Sequence, residues 1–180
     1  MESLFGRNFP SLEAAREACD AIAREQGFAL SVAAKKPNAA SPTYVHLRCS
    51  KGRKYVDYGN EAIAKRRKTS TQMTECPYRL ALKLDQGRGS WLVSCPSGPA
   101  HNHPFIDAMA QAKYRAEVVS KYRCEIVEMN NNGMRPAVIA AQLRGRSHQD
   151  PGLAGITATQ IHNALARHRR DELPLIAQVS

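Results

Sequence analysis

The sequence lacks long hydrophobic runs, and this absence restricts the class of protein. No apolar stretch in the 180 residues approaches the roughly 20 that a transmembrane helix needs. We therefore expect no segment that spans a membrane. Residues 1–5 also lack the basic and apolar parts of a secretory leader, so a reducing compartment is the expected location.

The cysteine count excludes a second class, the small secreted domain that is held together by disulfides. Five cysteines cannot all pair within one chain. In a reducing compartment such cysteines are free or bound to metal. The sequence also contains no Gly-rich phosphate loop, no nucleophile elbow and no metalloprotease helix. Nothing in it therefore indicates an enzyme of those classes.

Acidic residues are few in relation to basic ones. The chain has 26 Lys and Arg residues but only 16 Asp and Glu residues, with a net charge of +10 and a pI of about 9.7. This balance suits an anionic polymer better than a small neutral substrate. A solvated basic surface is the alternative, but the clustering of the basic residues favours nucleic acid.

The densest basic cluster is the run Lys65, Arg66, Arg67 and Lys68. Such a run is typical of a nuclear-import signal or of a loop that binds phosphate. It is equally consistent with a solvated insertion. We include the four residues among the candidate DNA contacts.

Two cysteines and two histidines have the spacing of a metal site. Cys49 and Cys76 are separated by 26 residues, and 24 more precede His101 and His103. Two thiolates and two imidazoles complete a tetrahedral set for zinc and leave no position for a catalytic water. Two histidines that are two residues apart point to the same side of an extended segment. We therefore predict one structural zinc ion that holds strand ends together.

The residues alone leave alternatives to this site. Cysteines are often buried as small hydrophobic residues, and the His-Asn-His segment could be a polar loop. Cys95 is the rival ligand, and it ranks below Cys49 because it alternates with Trp91 and Val93 along a strand. The metal is favoured because sheets of such short strands usually need an additional constraint.

Periodicity predicts a helix and four short strands in the first part of the chain. Ser11 can cap a helix that runs to about residue 26. Alternating side chains predict strands over residues 28–36 and 43–49, and a further pair on either side of the turn at 86–89. The first part is therefore expected to be α+β with a small antiparallel sheet.

Three of these segments resemble a known zinc finger. They are residues 76–80 (CPYRL), 89–93 (GSWLV) and 101–103 (HNH), and they are similar to the zinc finger of the WRKY and glial-cells-missing superfamily. Within it, the likeness is to the far-red-impaired-response DNA-binding domain of Mutator-like transposases and of transcription factors derived from them. Residues 9–15 and 27–30 resemble the opening helix and first strand of that domain.

The resemblance covers residues 9–104 and implies a WRKY-like sheet whose edge strand enters the major groove of DNA. It also implies that the first cysteine ligand ends the second strand, where Cys49 stands. Lys35, fourteen residues before Cys49, falls where the WRKY heptapeptide has its last lysine. The Trp, Gly and Gln of that heptapeptide are absent, so the resemblance implies a docking surface and not a base preference.

The strand that ends at Lys36 is accordingly the candidate strand for DNA contact. Alternation predicts that Ser31, Ala33 and Lys35 share its outward face. The first two are small enough to let the strand approach the bases, while Lys35 and Lys36 can reach phosphates or guanine. Arg48 is predicted on the outward side of the neighbouring strand.

The pattern becomes helical in the remainder of the chain. We predict helices over 107–130, over 136–144 and from a capping box at Thr157 to about residue 173. This order is helix-turn-helix-like and resembles the helical segment that follows the zinc finger in fungal Mutator-like transposases. A plain three-helix bundle that binds a protein partner, or a second copy of the chain, is the alternative.

The last predicted helix carries side chains that suit a DNA groove: His162, Asn163, Arg167 and Arg170. Asn can pair with adenine, and Arg with guanine. Arginines near the end of a helix also stabilise its dipole. We therefore expect nonspecific affinity from the arginines and any base reading from Thr159, His162 or Asn163.

Together, these features predict an α+β zinc-finger domain at 1–104 and a helical unit at 105–180. The expected function is sequence-specific binding of double-stranded DNA in the nucleus by a transcription regulator. No enzymatic activity is expected, because the residues after the finger form only a small basic helical unit. The alternatives are the DNA-binding portion of a Mutator-like transposase and a zinc-scaffolded module that binds proteins.

Overall fold

The computed structural model describes residues 2–54, 73–98 and 100–176. The chain divides into two compact units, Met1–Ile106 and Asp107–Ser180. This boundary lies two residues after the one predicted from the sequence. The first unit is α+β and the second is helical. The basic run at 65–68 lies outside the described residues.

The first unit contains a five-stranded antiparallel sheet, one strand more than the sequence predicts. The strand order is β1-β5-β4-β3-β2, so β2 is an edge strand. The additional strand, β1, has only two residues, which is too short for a visible alternation. The strands are β1 Asn8–Phe9, β2 Leu30–Lys36, β3 Tyr44–Cys49, β4 Arg79–Asp85 and β5 Ser90–Ser94.

One helix, α1 (Leu12–Glu25), covers the sheet on one side. The Ser11 side chain caps it by accepting a hydrogen bond from the Ala14 N–H at 3.1 Å, as predicted. Gly27 ends it with a φ of +81°, in the left-handed region that favours glycine. Cys19 faces the sheet and is fully buried, and burial raises the pKa of its thiol to about 12.

The two faces of the sheet have opposite character. The face against α1 is apolar and forms the core of the unit, with Val45, Leu47, Leu80, Leu82, Trp91 and Val93. No helix of the described part of this unit packs on the other face, which we call the open face. Register places on it Ser31, Ala34, Lys36, Tyr44, His46, Arg48, Arg79, Ala81, Lys83, Leu92 and Ser94.

A one-residue bulge interrupts the edge strand β2. The register passes from Val32 opposite Leu47 to Ala34 opposite His46, so Ala33 has no partner on β3. An extra residue shifts the alternation of every side chain that follows it in the strand. The sequence contains no glycine or proline there that would have marked the irregularity.

The bulge corrects the predicted outward row of β2. Ser31 lies on the open face, but Lys35 lies opposite Val45 and therefore on the α1 side. Lys36, beyond the bulge, is on the open face instead. The prediction that Ser31, Ala33 and Lys35 share one face is therefore wrong.

The described part of the second unit, 107–176, contains four α-helices, and here too one prediction needs correction. The single helix predicted over 107–130 is a 3-10 turn and two helices that break at Tyr122. The Tyr122 hydroxyl donates a hydrogen bond to Asp150 at 3.0 Å, a distant contact that local periodicity does not encode. The helices are α2 Ala112–Lys121, α3 Arg123–Asn131, α4 Pro136–Gly145 and α5 Ala158–Ile176.

These helices enclose a separate apolar core. Its largest fully buried side chains come from α3, α4, α5, the 3-10 segment Pro151–Gly155 and the residue after that segment, and they are Ile126, Ile139, Leu143, Leu153, Ile156 and Ile161. Among the described residues of the whole chain, no helix combines the length and apolarity needed to cross a membrane.

The capping box before α5 is present as predicted and permits a stability test. The Thr157 Oγ1 atom accepts from the Gln160 N–H at 3.3 Å, and Gln160 Oε1 accepts from the Thr157 N–H at 2.8 Å. We expect Thr157→Ala to lower the free energy of unfolding of this unit by about 1 kcal/mol. Thr159→Ala, at an exposed position in the same turn, is the control. Urea unfolding followed by circular dichroism should separate the two variants, and equal losses would contradict the assignment.

Candidate metal centre and basic surfaces

The four residues predicted to bind metal lie together. The donor atoms of Cys49, Cys76, His101 and His103 are all within 4.8 Å of one another, and both cysteines are buried. Cys49 ends β3, Cys76 precedes β4, and the histidines follow β5. The group therefore joins chain segments at the ends of three strands and could hold a metal ion.

Three of the distances within the group are close to those between the ligands of a tetrahedral ion. Cys49 Sγ lies 3.1 Å from His103 Nε2, and Cys76 Sγ lies 3.4 Å from His101 Nδ1. The two histidine nitrogens are 3.3 Å apart. Metal–ligand distances of about 2.0–2.3 Å give a tetrahedron with edges of about 3.3–3.8 Å. One ion of that size can therefore contact all four donors after small adjustments.

A tight turn brings the two cysteine segments together. The Gly52 N–H donates to the Cys49 carbonyl at 2.8 Å. A Cβ atom at Gly52 would lie 2.9 Å from the Cys76 carbonyl oxygen, so only glycine permits this approach. Arg79 Nη1 donates to the same carbonyl at 2.8 Å, and it too would lie 2.9 Å from a Cβ atom at Gly52.

The residue between the histidines positions them. Asn102 Nδ2 donates to the Thr74 carbonyl at 2.7 Å, and the Thr74 hydroxyl donates to Asn102 Oδ1 at 3.0 Å. His103 Nδ1 lies 3.0 Å from the Pro104 carbonyl. A proton on Nδ1 satisfies this contact and leaves the Nε2 lone pair facing Cys49. Sequence reasoning missed the role of Asn102, although its place between two candidate ligands was a signal.

Aromatic side chains surround His101. Its ring stacks on Tyr78 with centroids 4.1 Å apart, and the Phe28 and Phe105 centroids are 4.5 and 5.1 Å away. Burial, followed by the charge of His103, lowers the pKa of His101 to about 4. The imidazole is therefore neutral at pH 7, as a metal ligand must be. Phe28 and Tyr78 come from segments far from His101 in the sequence, so no local motif revealed their contact with it.

Burial also affects the cysteine donors. It raises the pKa of Cys49 to about 11, and the nearby Cys76 acts in the same direction. A bound cation reverses this effect, because a thiol that coordinates a metal loses its proton. The donor set of two sulfurs and two nitrogens is typical of structural zinc.

Cys95 lies outside the metal group. Its Sγ atom contacts the carbonyl oxygens of Gly98 at 3.0 Å and of Arg79 at 3.3 Å. The thiol therefore has local hydrogen-bond partners. Among the residues that the structure describes, the metal-binding group contains Cys49 and not Cys95, in agreement with the ranking made from the sequence.

The candidate DNA contacts of the first unit are not all on one surface. Ser31, Lys36 and Arg48 lie on the open face. Ala33 is exposed at the bulge, and Lys35 Nζ lies 3.5 Å from the Ala39 carbonyl. Lys65, Arg66, Arg67 and Lys68 fall outside the described residues. Sequence reasoning missed Arg79, although its alternation within β4 was a signal.

The candidate contacts of the second unit lie on α5. His162, Asn163, Arg167 and Arg170 are all exposed. Helical geometry places them within an arc of about 140° on one side of the helix. Asn163 and Arg167 also line a groove of about 330 Å³ between α2 and α5.

No known protein family, characterised protein or solved structure matches this chain. The likeness to WRKY-type zinc fingers therefore stays a prediction from the residues that carry it. The functional argument rests on the geometry and chemistry of the chain itself.

Proposed function

We propose that the first unit is a WRKY-like zinc-finger domain and that the chain binds double-stranded DNA with sequence specificity. One observation carries the proposal: a four-ligand metal group lies in the same unit as a sheet with an exposed edge strand and a basic open face. A transcription regulator in the nucleus is the role that fits it. The DNA-binding portion of a transposase would contain the same site.

The metal in this proposal is a single zinc ion with a structural role. Cys49, Cys76, His101 and His103 supply four ligands, and a catalytic zinc would keep one position for water. The ligands come from segments that are far apart in the sequence. Their ion therefore serves to hold the β-sheet together, and no enzymatic activity is proposed for the site.

The edge strand β2 is the proposed element for reading bases. Strands can enter the major groove and contact base edges there. Ala33 projects at the bulge without a partner on β3, and its small side chain permits close approach. Lys35 and Lys36 follow after one further alanine and have the length to reach phosphates.

The exposed side of α5 is a second, weaker candidate. His162 and Asn163 can contact bases, while Arg167 and Arg170 supply charge. The groove between α2 and α5 supports the alternative that this unit binds a protein partner or a second copy of the chain. Loss of duplex binding on Asn163→Ala would favour DNA.

Duplex binding by the zinc-loaded full chain tests the proposal. We expect selection from random duplexes to recover a preferred site, and the affinity for it to fall steeply with salt. Lys36→Ala should reduce the salt slope by about one and weaken binding to all sequences alike. Arg88→Ala, at an exposed turn position paired with Asp85, is the matched control for loss of charge. If the full chain binds no duplex at low salt, the proposed function is wrong.

A further inference from the structure

A row of side chains crosses the open face and places like charges opposite each other. Ser31 on β2 is directly opposite Arg48 on β3, which is directly opposite Arg79 on β4. Directly opposed residues have Cβ atoms about 4.5–5.5 Å apart, and like charges in such pairs destabilise a sheet. The row is therefore unfavourable in the absence of a counter-charge.

The described residues provide no carboxylate to this row. Neither Arg48 nor Arg79 forms an ion pair there, and Arg79 Nη1 donates to the backbone carbonyls of Cys76 and Tyr78. Arg48 Nε and the Ser31 hydroxyl are buried and have no hydrogen-bond partner in the described structure. Buried polar groups normally form hydrogen bonds. Two donors of the row therefore lack an acceptor that a bound ligand could supply.

A third guanidinium strengthens the local positive charge. Burial, followed by the charges of Arg53 and Arg79, lowers the pKa of Arg48. Arg53 is exposed and follows the turn after β3. Three guanidinium groups therefore act on one small area of the open face.

The chemistry of the row fits a phosphate group. A guanidinium is a planar fork whose N–H groups match two oxygens of a phosphate. The Ser31 hydroxyl can donate to a further oxygen. Carboxylates could also neutralise the charge, but a phosphate has enough acceptor oxygens for several donors at once.

A second basic row lies at the opposite end of the open face. Lys36 and Lys83 lie on either side of Tyr44, four residues from Arg48 along β3, or about 13 Å. Between the two basic rows lie His46 and the small residues Ala34 and Ala81. Two basic rows about 13 Å apart suit an extended anion with repeated charges better than a single small ion.

We propose that Arg48, Arg79, Arg53 and Ser31 form a phosphate-binding site, and that a nucleic-acid backbone docks there across the open face. The assignment of that backbone to duplex DNA rests on the proposed function, whereas the phosphate site itself does not. A backbone that docks on the open face contacts three strands of the sheet, β2, β3 and β4, and not the edge strand β2 alone.

A ligand-binding role and a structural role of Arg48 predict opposite effects of its removal on the stability of the free protein and on ligand affinity. If the arginine row exists for a ligand, removing one charge relieves repulsion in the free protein and weakens ligand binding. If Arg48 were only structural, its removal would destabilise the free protein and leave the affinity unchanged. The two readouts together therefore distinguish the roles.

The experiment compares three variants of the zinc-loaded full chain. Arg48→Met keeps an apolar stem of similar length, and Arg53→Met changes an exposed side chain. Arg88→Met removes one charge at the β4–β5 turn as the control. Arg79 is left unchanged, because it holds the Cys76 carbonyl. Duplex affinity at several salt concentrations is measured with the melting temperature, Tm, in the absence and presence of pyrophosphate.

We expect Arg48→Met to bind duplex about 10- to 100-fold more weakly, with a salt slope lower by about one. Its Tm without ligand should equal or exceed that of the wild type. Pyrophosphate should raise the Tm of the wild type and of Arg88→Met, but should raise that of Arg48→Met less. Arg53→Met should show the same changes to a smaller extent.

Two results would overturn the phosphate site. One is that Arg48→Met and Arg53→Met match Arg88→Met in duplex affinity and in the response to pyrophosphate. The other is a lower Tm of free Arg48→Met, because the row would then be stabilising. If the wild type binds no duplex while pyrophosphate raises its Tm through Arg48, the phosphate site stands and the proposed function fails.

Discussion

Replacement of Cys76 by serine is expected to abolish zinc binding and to unfold the sheet of the first unit. The side chain is buried beside three other donor atoms, and a hydroxyl is a poor substitute for a thiolate. In small zinc domains the apparent free energy of metal binding is about 10–16 kcal/mol, as large as the whole stability of a typical domain, about 5–15 kcal/mol. Mass spectrometry under native conditions should give one zinc per wild-type chain and none for Cys76→Ser.

The chain offers matched controls for this test. Cys95→Ser changes a thiol outside the metal group, and Cys124→Ser changes an exposed thiol in the second unit. Both should retain one zinc and the strand signal in circular dichroism. Freshly purified wild-type protein that contains no zinc would contradict the metal assignment. A Cys76→Ser protein with a normal sheet and normal zinc content would contradict it as well.

Phe28→Ala is expected to have the second-largest effect. Phe28 is 1% exposed, and its ring contacts Tyr78 with centroids 5.4 Å apart and His101 at 4.5 Å. Truncation of a buried phenylalanine costs about 3–5 kcal/mol. The cavity would also release the His101 ring, so we expect weaker zinc binding as well as a lower free energy of unfolding. Denaturant unfolding and competition with a zinc chelator measure the two effects.

Phe105→Ala is the control for Phe28→Ala. Phe105 also contacts the His101 ring, at 5.1 Å, but it is 54% exposed. Phe105 buries less apolar area than Phe28, so Phe105→Ala should lower the free energy of unfolding clearly less than Phe28→Ala. Equal losses for the two variants would mean that burial beside His101 does not support the metal group.

Local signals in the sequence were sufficient for much of the fold. Ser11 and Gly27 mark the ends of α1 because capping and left-handed backbone are properties of single residues. The alternation in β3 and the Thr157 capping box are equally local. Cys49, Cys76 and the histidines could be grouped because few residue types bind zinc, and their positions next to strands restricted the choice.

Tertiary contacts account for the errors. The bulge at Ala33 depends on pairing with β3, and a strand read alone gives no sign of it. The break at Tyr122 accompanies a hydrogen bond to Asp150, which lies in a distant loop. The contacts of Phe28 and Tyr78 with His101, and the row from Ser31 through Arg48 to Arg79, join segments that only the folded chain brings together.

The bulge in β2 also affects whether two copies of the protein can pair through their sheet edges. A regular edge of seven residues would offer unpaired N–H and C=O groups to any passing strand and could nucleate aggregation. The extra residue at Ala33 breaks the spacing of those groups, and Lys35 and Lys36 place a charge on each side of the edge. A strand from a second molecule therefore meets an irregular backbone and a lysine on either face. The same irregularity that keeps β2 free for DNA in the proposed function discourages polymerisation through the sheet.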